Sequence, residues 1–341
     1  MSTPLFPRLL GDIGGTHARF AWQAAPGEAP RDVRVLPCAA YPGLEEAVRD
    51  YLAQSGHAMP PAFGMGIATP VLGDALRMTN HAWSFSIRAL RQRLGLERFT
   101  VVNDFTALAL ALPALAADQM VQVGGLAPAP GARDSSGAAP APGAQRAPLA
   151  LLGPGTGLGV SGLVPVGESG WQAIAGEGGH VTLAAADALE FAVIERLRAR
   201  HGHVSAERVL SGPGLADLHR ALREVRGEPQ DAHAHAPLDA AAISRRALED
   251  GDARCLQTLD LFAGFLGGVA GNLALTLGAR GGVYLGGGIV PRWLGWFEGS
   301  PFRQRFEAKG RFAAYLQDVP VWVLRAGDSP ALLGASRALD D

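Results

Sequence analysis

Short apolar runs alternate with helical patterns along this chain, and three glycine-rich turns interrupt them. At 9–22, an apolar run leads into Gly14 and Gly15 and apolar residues alternate after them, which predicts a strand, a tight turn and a second strand. The rest of the first third predicts strands at 62–68, 75–79 and 99–102 and helices at 44–52, 86–94 and 105–112. The strands at 62–68 and 75–79 flank a turn signal at 73–74. This alternation predicts the α/β class.

The second half repeats the plan of the first. A strand leads into the turn at 153–159, and another strand continues to 166. The strand-like runs at 120–123 and 149–152 flank a polar stretch, and we predict that they pair as a hairpin. The remaining patterns predict helices at 186–200 and 250–277, a strand at 283–285 and a last helix from its cap, Asp328, to 339. We therefore expect two α/β halves of similar plan.

The stretch 126–147 breaks this pattern, because it consists almost entirely of Ala, Pro, Gly and Ser. It lacks the apolar surface that would offset the entropy of ordering it, so we expect a flexible insertion. A linker between domains is the alternative, and the predicted hairpin argues against it. We expect a small α/β domain over 1–115, completed by a C-terminal helix at about 325–341, and a large α/β domain over 116–324.

Composition and charge exclude several classes of function. Of the 341 residues, 48% are apolar and 18% are charged, and a net charge of −2 gives no basic field to attract nucleic acid. The sequence has no uninterrupted apolar run of membrane-spanning length and no signal peptide, so we expect a cytoplasmic protein without membrane association. Two distant cysteines, Cys38 and Cys255, supply neither a disulfide framework nor a zinc site.

The chain contains one lysine, Lys309, among 30 basic residues. A P-loop requires Gly-Lys-Ser/Thr, and a protein kinase requires a strand lysine that pairs with a helix glutamate. Both classes are excluded. If this protein binds ATP, backbone N–H groups, hydroxyl groups and a metal ion must hold the phosphates.

The first glycine turn follows a carboxylate. Gly14 and Gly15 can direct backbone N–H groups toward an anion, and Thr16 adds a hydroxyl group. Because a carboxylate beside phosphate requires a cation between them, we expect Asp12 to hold Mg²⁺, directly or through water. The alternative is an ordinary turn.

Two further glycine runs favour contacts with a nucleotide. The turn at 153–159 has Thr156 as its hydroxyl group, and its alternating glycines with a following strand do not match a dinucleotide-binding fingerprint. The run at 286–288 follows a strand and would let the backbone approach an adenine ring, although most such runs are simple turns.

The strand at 99–102 ends at Asn103 and Asp104. Ligands bind at the carboxyl ends of strands in α/β proteins, and an aspartate there can accept a proton from an alcohol. The alternative is that Asp104 caps the helix at 105–112. Glu177 and His180 lie on a glycine-rich loop, and together with Asn103 and Glu207 they would form a polar set suited to sugar hydroxyl groups. His81 and Trp83 would line the sugar side, and core packing is the alternative for Trp83.

The chain resembles the bacterial glucokinases of the hexokinase and actin-like ATPase fold. The resemblance covers nearly the whole chain and depends on GDIGGTHAR, GIATPVLGDALRMTNHAWSFS, VVNDFTALA, LGPGTGLGV, AGEGGH, HVSAERVLSGPGL and YLGGGI, in that order. It implies transfer of the γ-phosphate of ATP to the 6-hydroxyl group of glucose, in a cleft between a small and a large domain. It also implies Mg²⁺ and a homodimer.

The resemblance assigns roles to individual residues. Asp104 is expected to be the general base. The expected sugar contacts are Asn103, Asp104, Glu177, His180 and Glu207. The expected ATP contacts are the first phosphate loop, Gly11, Asp12, Ile13, Gly14, Gly15 and Thr16, together with Gly155, Thr156, Gly157 and Gly287.

One departure from the family lies in the first loop, where His17 replaces the usual asparagine. Three alternatives remain. A kinase for another hexose or amino sugar, of the repressor–kinase type, would carry a cysteine-rich zinc motif. A non-catalytic sugar-binding regulator would need a DNA-binding segment. A filament-forming actin-like ATPase would not need the set of Glu177, His180 and Glu207.

Overall fold

The structure is a computed structural model that describes residues 4–79, 81–124, 146–228, 238–325 and 330–340. The strands of the described residues, in chain order, are β1 Arg8–Ile13, β2 His17–Gln23, β3 Arg31–Pro37, β4 Ala62–Ile67, β5 Ala75–Arg77, β6 Ser84–Ser86, β7 Arg98–Asn103, β8 Met120–Gln122, β9 Leu149–Pro154, β10 Leu158–Val166, β11 Gly170–Ala175, β12 Val283–Leu285 and β13 Val321–Leu324. The α-helices are α1 Leu44–Ser55, α2 Ile87–Leu94, α3 Asp104–Ala111, α4 Ala188–His201, α5 Gly212–Val225, α6 Ala240–Leu248, α7 Ala253–Leu277, α8 Leu294–Phe297, α9 Phe302–Glu307, α10 Ala313–Gln317 and α11 Pro330–Arg337.

The chain divides into two compact units. Unit 1 contains Met1–Leu115, Trp171–Ala175 and Gly327–Asp341, and unit 2 contains Ala116–Gly170 and Gly176–Ala326. The predicted insertion at 126–147 lies outside the described residues except for its last two positions, and the predicted cap Asp328 also lies outside them.

Unit 1 contains a five-stranded sheet in the order β3-β2-β1-β4-β7. β1, β2 and β3 are antiparallel, whereas β1, β4 and β7 are parallel. Ile13 pairs with Ile67, and Ile67 pairs with Asn103, so three parallel strands end at the same edge. This register brings the first glycine turn and the Asn103–Asp104 pair to one edge of the sheet. That edge is where open α/β sheets bind their ligands.

Helix α3 packs against β4 and α11 where side chains are absent or small. A Cβ atom on Gly66 of β4 would lie 2.9 Å from the Cβ atom of Ala107, and one on Gly334 of α11 would lie 1.6 Å from the Ala107 carbonyl oxygen. A Cβ atom on Gly64 would lie 2.2 Å from the Ala335 carbonyl oxygen. Only glycine permits this approach of backbone to backbone. Because α3 begins with Asp104, the packing also fixes the position of that carboxylate.

Unit 2 is built on five neighbouring strands of the second sheet, in the order β10-β9-β12-β13-β8. All residues of β9, β12 and β13 are buried. The long helix α7 contributes Phe262 and Phe265 to the same core. Buried parallel strands read as continuous apolar runs, and this is why the sequence shows no alternation at these positions.

The predicted hairpin of 120–123 with 149–152 is wrong. β8 pairs with β13 at one edge of the sheet, whereas β9 lies between β10 and β12. Two of the three residues of β8 are half-buried, which suits an edge position, and the wholly buried β9 suits an internal one. The two strands are near each other in sequence, but they are not neighbours in the sheet.

The strands predicted around the turn at 73–74 exist but do not pair with each other. β4 is an internal parallel strand, and β5 pairs with β6 in a separate two-stranded sheet. Asp74 instead accepts hydrogen bonds from the Ser86 hydroxyl group at 2.6 Å and from the Arg88 N–H group at 2.9 Å. The predicted cap is confirmed, because Ser86 accepts a hydrogen bond from the Ala89 N–H group.

One helix of the described residues, α7, has the length and apolar composition that crossing a bilayer requires, and 61% of its most apolar window is buried inside the protein. A buried core helix has the same composition, so this is weak evidence for a membrane span.

The packing of α11 on α3 yields a test with a matched control. We expect Gly334→Ala to lower the free energy of unfolding by about 2–3 kcal/mol, because the new methyl group overlaps the Ala107 carbonyl oxygen. Gly73→Ala in the same unit should be near neutral, since its Cβ atom would meet no atom within 4 Å. Urea denaturation of both variants measures the difference. Equal stability of the two variants would contradict the described packing.

Candidate functional site

The first glycine turn joins β1 to β2 in unit 1. The Gly14 N–H group closes the turn by donating to the His17 carbonyl group at 2.9 Å, and Cys38 N–H donates to the Thr16 carbonyl group at 2.9 Å from behind. The N–H groups of Gly15 and Thr16 donate to no other residue in the part of the chain that the structure describes. Of the amide groups predicted to bind phosphate, Gly14 is therefore used by the turn itself, whereas Gly15 and Thr16 are available to an anion.

Asp12 lies directly opposite Arg19 across this hairpin. An Nη atom of Arg19 donates to the Asp12 carboxylate at 3.0 Å. Arg19 ends the motif GDIGGTHAR, and no role was predicted for it. The signal was available, because residues equally distant from a short hairpin turn face each other on the two strands.

Asn103 and Asp104 lie at the junction of β7 and α3. The Asn103 side chain accepts a hydrogen bond from the Phe105 N–H group at 3.0 Å and is the N-cap of α3. Its amide nitrogen donates to the Thr69 carbonyl group at 3.4 Å. The alternative in which Asp104 caps a helix at 105–112 is therefore wrong by one position: Asp104 is the first residue of the helix. An N-cap residue must offer a side-chain oxygen that accepts a hydrogen bond from an N–H group of the first turn. Asparagine does this as well as aspartate does.

The Asp104 carboxyl group is shielded from solvent, and its pKa is perturbed. Burial raises its pKa from 3.8 to about 6, and a hydrogen bond from the Phe105 N–H group at 2.9 Å opposes this shift. The negative charge of Asp12 adds to the increase. A carboxylate with a pKa near 6 is a stronger base than an ordinary aspartate and is still ionised at neutral pH.

The second glycine turn, in unit 2, joins β9 to β10. Gly155 N–H donates to the Gly157 carbonyl group at 2.8 Å, and the Gly155 carbonyl group accepts from Gly212 N–H at 2.8 Å. Gly212 is the first residue of α5, which is capped by Ser211. This helix start was not predicted, although Ser-Gly-Pro-Gly contains both a capping residue and an early proline. The positive end of the helix dipole is thus next to the turn predicted to bind phosphate.

Glu207 connects this turn to the predicted sugar loop. Its carboxylate accepts a hydrogen bond from Leu158 N–H at 2.8 Å, and its own N–H group donates to the Gly179 carbonyl group at 2.9 Å. A Cβ atom on Gly157 would lie 2.4 Å from a Glu207 carboxylate oxygen. Glycine at 157 therefore makes room for the carboxylate.

Glu177 and His180 lie at the two ends of a single helical turn, in which His180 N–H donates to the Glu177 carbonyl group at 3.0 Å. Both side chains are exposed. The intervening Gly179 packs against β10, where a Cβ atom would lie 2.1 Å from the Leu158 carbonyl oxygen. Unit 2 thus brings Glu177, His180 and Glu207 to one region, around the start of β10.

The third glycine run packs against the second turn. Gly287 has a φ of +75°, and a Cβ atom there would lie 2.3 Å from the Pro154 carbonyl oxygen. A left-handed backbone and a close approach both require glycine at this position. Gly286 N–H donates to the Leu152 carbonyl group at 2.9 Å, which fixes the run beside β9.

Trp83 belongs to the core and not to the sugar side. It is 2% exposed, and its indole N–H group donates to the Tyr41 carbonyl group at 3.1 Å. His81 is half-buried, and its ring lies nearly perpendicular to that of Trp83, with 5.2 Å between the ring centroids.

The residues at the first turn fit a magnesium ion that is bound mainly by phosphate and water. Asp12 offers a carboxylate oxygen, which is the donor that Mg²⁺ prefers, and one carboxylate is typical of such sites. Within the described ranges, no three His, Cys, Asp or Glu residues form a group that could hold a metal ion by themselves.

Solved structures define the class of protein. The crystal structure of a glucokinase from an Antarctic psychrotroph has a TM-score of 0.84 and 35% sequence identity over 98% of each chain. A hexokinase of the ROK family from Thermus thermophilus, 20% identical over 98% of this chain and 97% of its own, has the same fold with a TM-score of 0.64. The chain therefore has the two-domain α/β fold of the sugar kinases.

Sequence comparison identifies the family. Residues 9–341 match the family model described as Glucokinase. The glucokinase of Chromobacterium violaceum is 53% identical over 344 positions, which cover 100% of this chain and 92% of that protein. The chain belongs to the glucokinase family.

Burial of Asp104 predicts a specific pH dependence of stability. In the folded protein the pKa of Asp104 is raised to about 6, so its ionised form opposes folding above that pH, and the cost disappears as pH falls toward 4. We expect Asp104→Asn to raise the free energy of unfolding by up to about 3 kcal/mol at neutral pH, since a shift of one pKa unit corresponds to about 1.4 kcal/mol. Urea denaturation at several pH values measures this gain.

Asp74→Asn is the matched control, with the opposite sign. Hydrogen bonds from Ser86 and from Arg88 N–H hold the pKa of Asp74 below its usual value. Its ionised form therefore stabilises the fold above the unfolded pKa, and this contribution is lost as pH falls. Asp74→Asn should reduce stability at neutral pH. A loss of stability in Asp104→Asn at neutral pH would contradict the inferred burial.

Proposed function

We propose that this chain phosphorylates glucose at its 6-hydroxyl group with MgATP, giving glucose 6-phosphate and ADP. The observation that carries the proposal is the position of Asp104. It is a buried carboxyl group with a raised pKa, at the sheet edge that also carries Asp12 and the first glycine turn. Membership of the glucokinase family supports the choice of glucose as the substrate.

In this mechanism Asp104 is the general base. Its carboxylate accepts the proton of the 6-hydroxyl group as the oxygen attacks the γ-phosphorus of ATP. Asn103 orients the substrate beside it, because its side chain is fixed between Thr69 and Phe105. Phosphoryl transfer depends on positioning and charge stabilisation more than on covalent help from the protein.

The sugar hydroxyl groups are bound by Glu177, His180 and Glu207. Carboxylates accept hydrogen bonds from sugar hydroxyl groups, and the imidazole ring can donate or accept. The Glu207 carboxylate accepts one backbone hydrogen bond, from Leu158, and has lone pairs left for a ligand.

The glycine turns hold the nucleotide. Gly15 and Thr16 offer N–H groups to phosphate in unit 1, with Gly11 and Ile13 forming the strand end behind them. The turn of Gly155, Thr156 and Gly157 lies beside the N-terminus of α5 in unit 2, and Gly287 brings the backbone close to the purine. Asp12 would hold Mg²⁺, which neutralises charge on the phosphates when bound. Arg19 would keep the Asp12 carboxylate oriented.

Several finer points belong to the same proposal. The domains 1–115 with about 325–341, and 116–324, enclose the ligands in a cleft. The protein is a cytoplasmic homodimer that acts without nucleic acid or membrane. The family match supports glucose over another hexose or an amino sugar, and over a non-catalytic regulator. Measuring ADP release with glucose, mannose, fructose and N-acetylglucosamine separates these alternatives.

Asp104→Asn tests the general base. The variant keeps the shape and a hydrogen-bond acceptor but cannot take the proton, so we expect kcat to fall about 10²–10⁴-fold. Glucose affinity, followed by tryptophan fluorescence, should stay within about tenfold of the wild type, because the lost interaction acts in the transition state. In the wild type, kcat/KM should rise with pH as Asp104 loses its proton at about pH 6.

Retention of more than about a tenth of the wild-type rate by Asp104→Asn would rule out this role. Glu177 is then the next carboxylate to test.

The packing of Glu207 on Gly157 provides a second test. We expect Gly157→Ala to raise KM for glucose about tenfold or more, because the methyl group displaces the Glu207 carboxylate by steric overlap. Gly155→Ala is the matched control in the same turn, since its Cβ atom would meet only Gly288 N at 4.0 Å. Steady-state kinetics with glucose as the varied substrate compare the two. An equal effect of both substitutions on KM for glucose would argue against the coupling of Gly157 to Glu207.

A further inference from the structure

Unit 2 contains a cavity of about 420 Å³ that the proposed reaction does not use. This volume is within the range of pockets that bind small molecules. One wall is the outward side of α7, and the facing wall is the segment that follows His180. The lining includes Gly268, Asn272, Val181, Leu183 and Lys309. None of the residues proposed to contact glucose or ATP lines the cavity.

The only lysine of the chain lies at this cavity. Lys309 follows α9, and its ammonium group donates to the Gly268 carbonyl group of α7 at 3.0 Å. Among the residues that the structure describes, no carboxylate lies within salt-bridge distance of this group. An ammonium group has three donors, so two are left for a ligand.

The neighbouring cation of the cavity is already neutralised. Arg305 forms a two-pronged ion pair with the buried Glu190, at 2.7 and 3.1 Å. Glu190 also accepts a hydrogen bond from Ala186 N–H at 2.7 Å, so its carboxylate is fully engaged by the protein. Lys309 therefore remains the cavity's uncompensated positive charge. Burial lowers the pKa of Lys309, and the positive charge of Arg305 lowers it further, as expected for a cation without a counter-charge.

The rest of the lining is mainly apolar. It includes Leu183, Phe265, Val269 and Leu273, with polar side chains at Asn272 and Thr276 where the helix reaches solvent. An apolar cavity with one convergent charged group binds molecules that have an apolar body and one opposite charge. We propose that this cavity binds a small carboxylic acid anion with an apolar chain, its carboxylate paired with Lys309.

Octanoate and 1-octanol are suitable probes, because they share a chain and differ in charge. Isothermal titration calorimetry of the full chain should show octanoate binding at one site, with an affinity about tenfold or more above that of 1-octanol. Lys309→Met keeps most of the side-chain volume and removes the charge. In this variant we expect the preference for octanoate to disappear. Arg311→Met is the matched control, since Arg311 is an exposed cation two residues away that does not line the cavity.

A second variant blocks the cavity without altering its charge. A Cβ atom on Gly268 would meet nothing within 4 Å, and leucine favours a helix more than glycine does. Gly268→Leu should therefore fold and should lose binding of both probes. The proposal is overturned if wild-type protein binds octanoate more weakly than about 10 mM. It is equally overturned if Lys309→Met keeps the octanoate preference, or if Gly268→Leu binds octanoate as well as the wild type does.

Discussion

The chemistry of unit 1 depends on the close backbone packing of α3 against β4 and α11, which glycine residues permit. Gly66 and Gly334 let the backbone of α3 approach both neighbours around Ala107. The Asp104 Cα atom would lie only 3.4 Å from a Cβ atom on Gly66, so the carboxylate begins almost on the sheet. Burial follows from this closeness, and burial is the main cause of its raised pKa. The close packing of α3 on the sheet is therefore also the cause of the raised pKa of Asp104.

In unit 2, one residue has both a structural and a proposed binding role. That residue is Glu207. Glu207 accepts from Leu158 N–H, and its backbone donates to Gly179, so it joins the second glycine turn to the loop that carries Glu177 and His180. A carboxylate that also stabilises its surroundings is oriented before any ligand arrives, which lowers the entropic cost of binding. Removing the Glu207 side chain would therefore disturb the turn as well as the sugar contacts.

Local signals in the sequence predicted the strand ends and the turns. They did not predict which strands pair across long distances along the chain. The strand at 283–285, the Ser86 cap and the turn at 153–159 each depend on neighbouring residues, and the structure contains them. The hairpin of 120–123 with 149–152 failed because β8 finds its partner, β13, about 200 residues away, and strand pairing across such distances is set by burial of the whole sheet. The predicted cap of α3 was wrong by one residue, because asparagine and aspartate are equally good N-cap residues and Asn103 directly precedes Asp104.

The pattern of charge pairing separates groups that stabilise the fold from groups that remain available to ligands. Glu190 is satisfied by Arg305 and by a backbone N–H group, and such a complete set is what a buried ion requires for stability. Asp104 accepts hydrogen bonds from backbone N–H groups and from the Asn103 side chain but has no cationic partner among its described neighbours, so its charge is costly without a ligand. Lys309 likewise has no partner of opposite charge among the described residues, and its own charge is positive. An incompletely compensated charge that is partly buried lowers stability, and a ligand of opposite charge or a reaction that uses the proton relieves that cost.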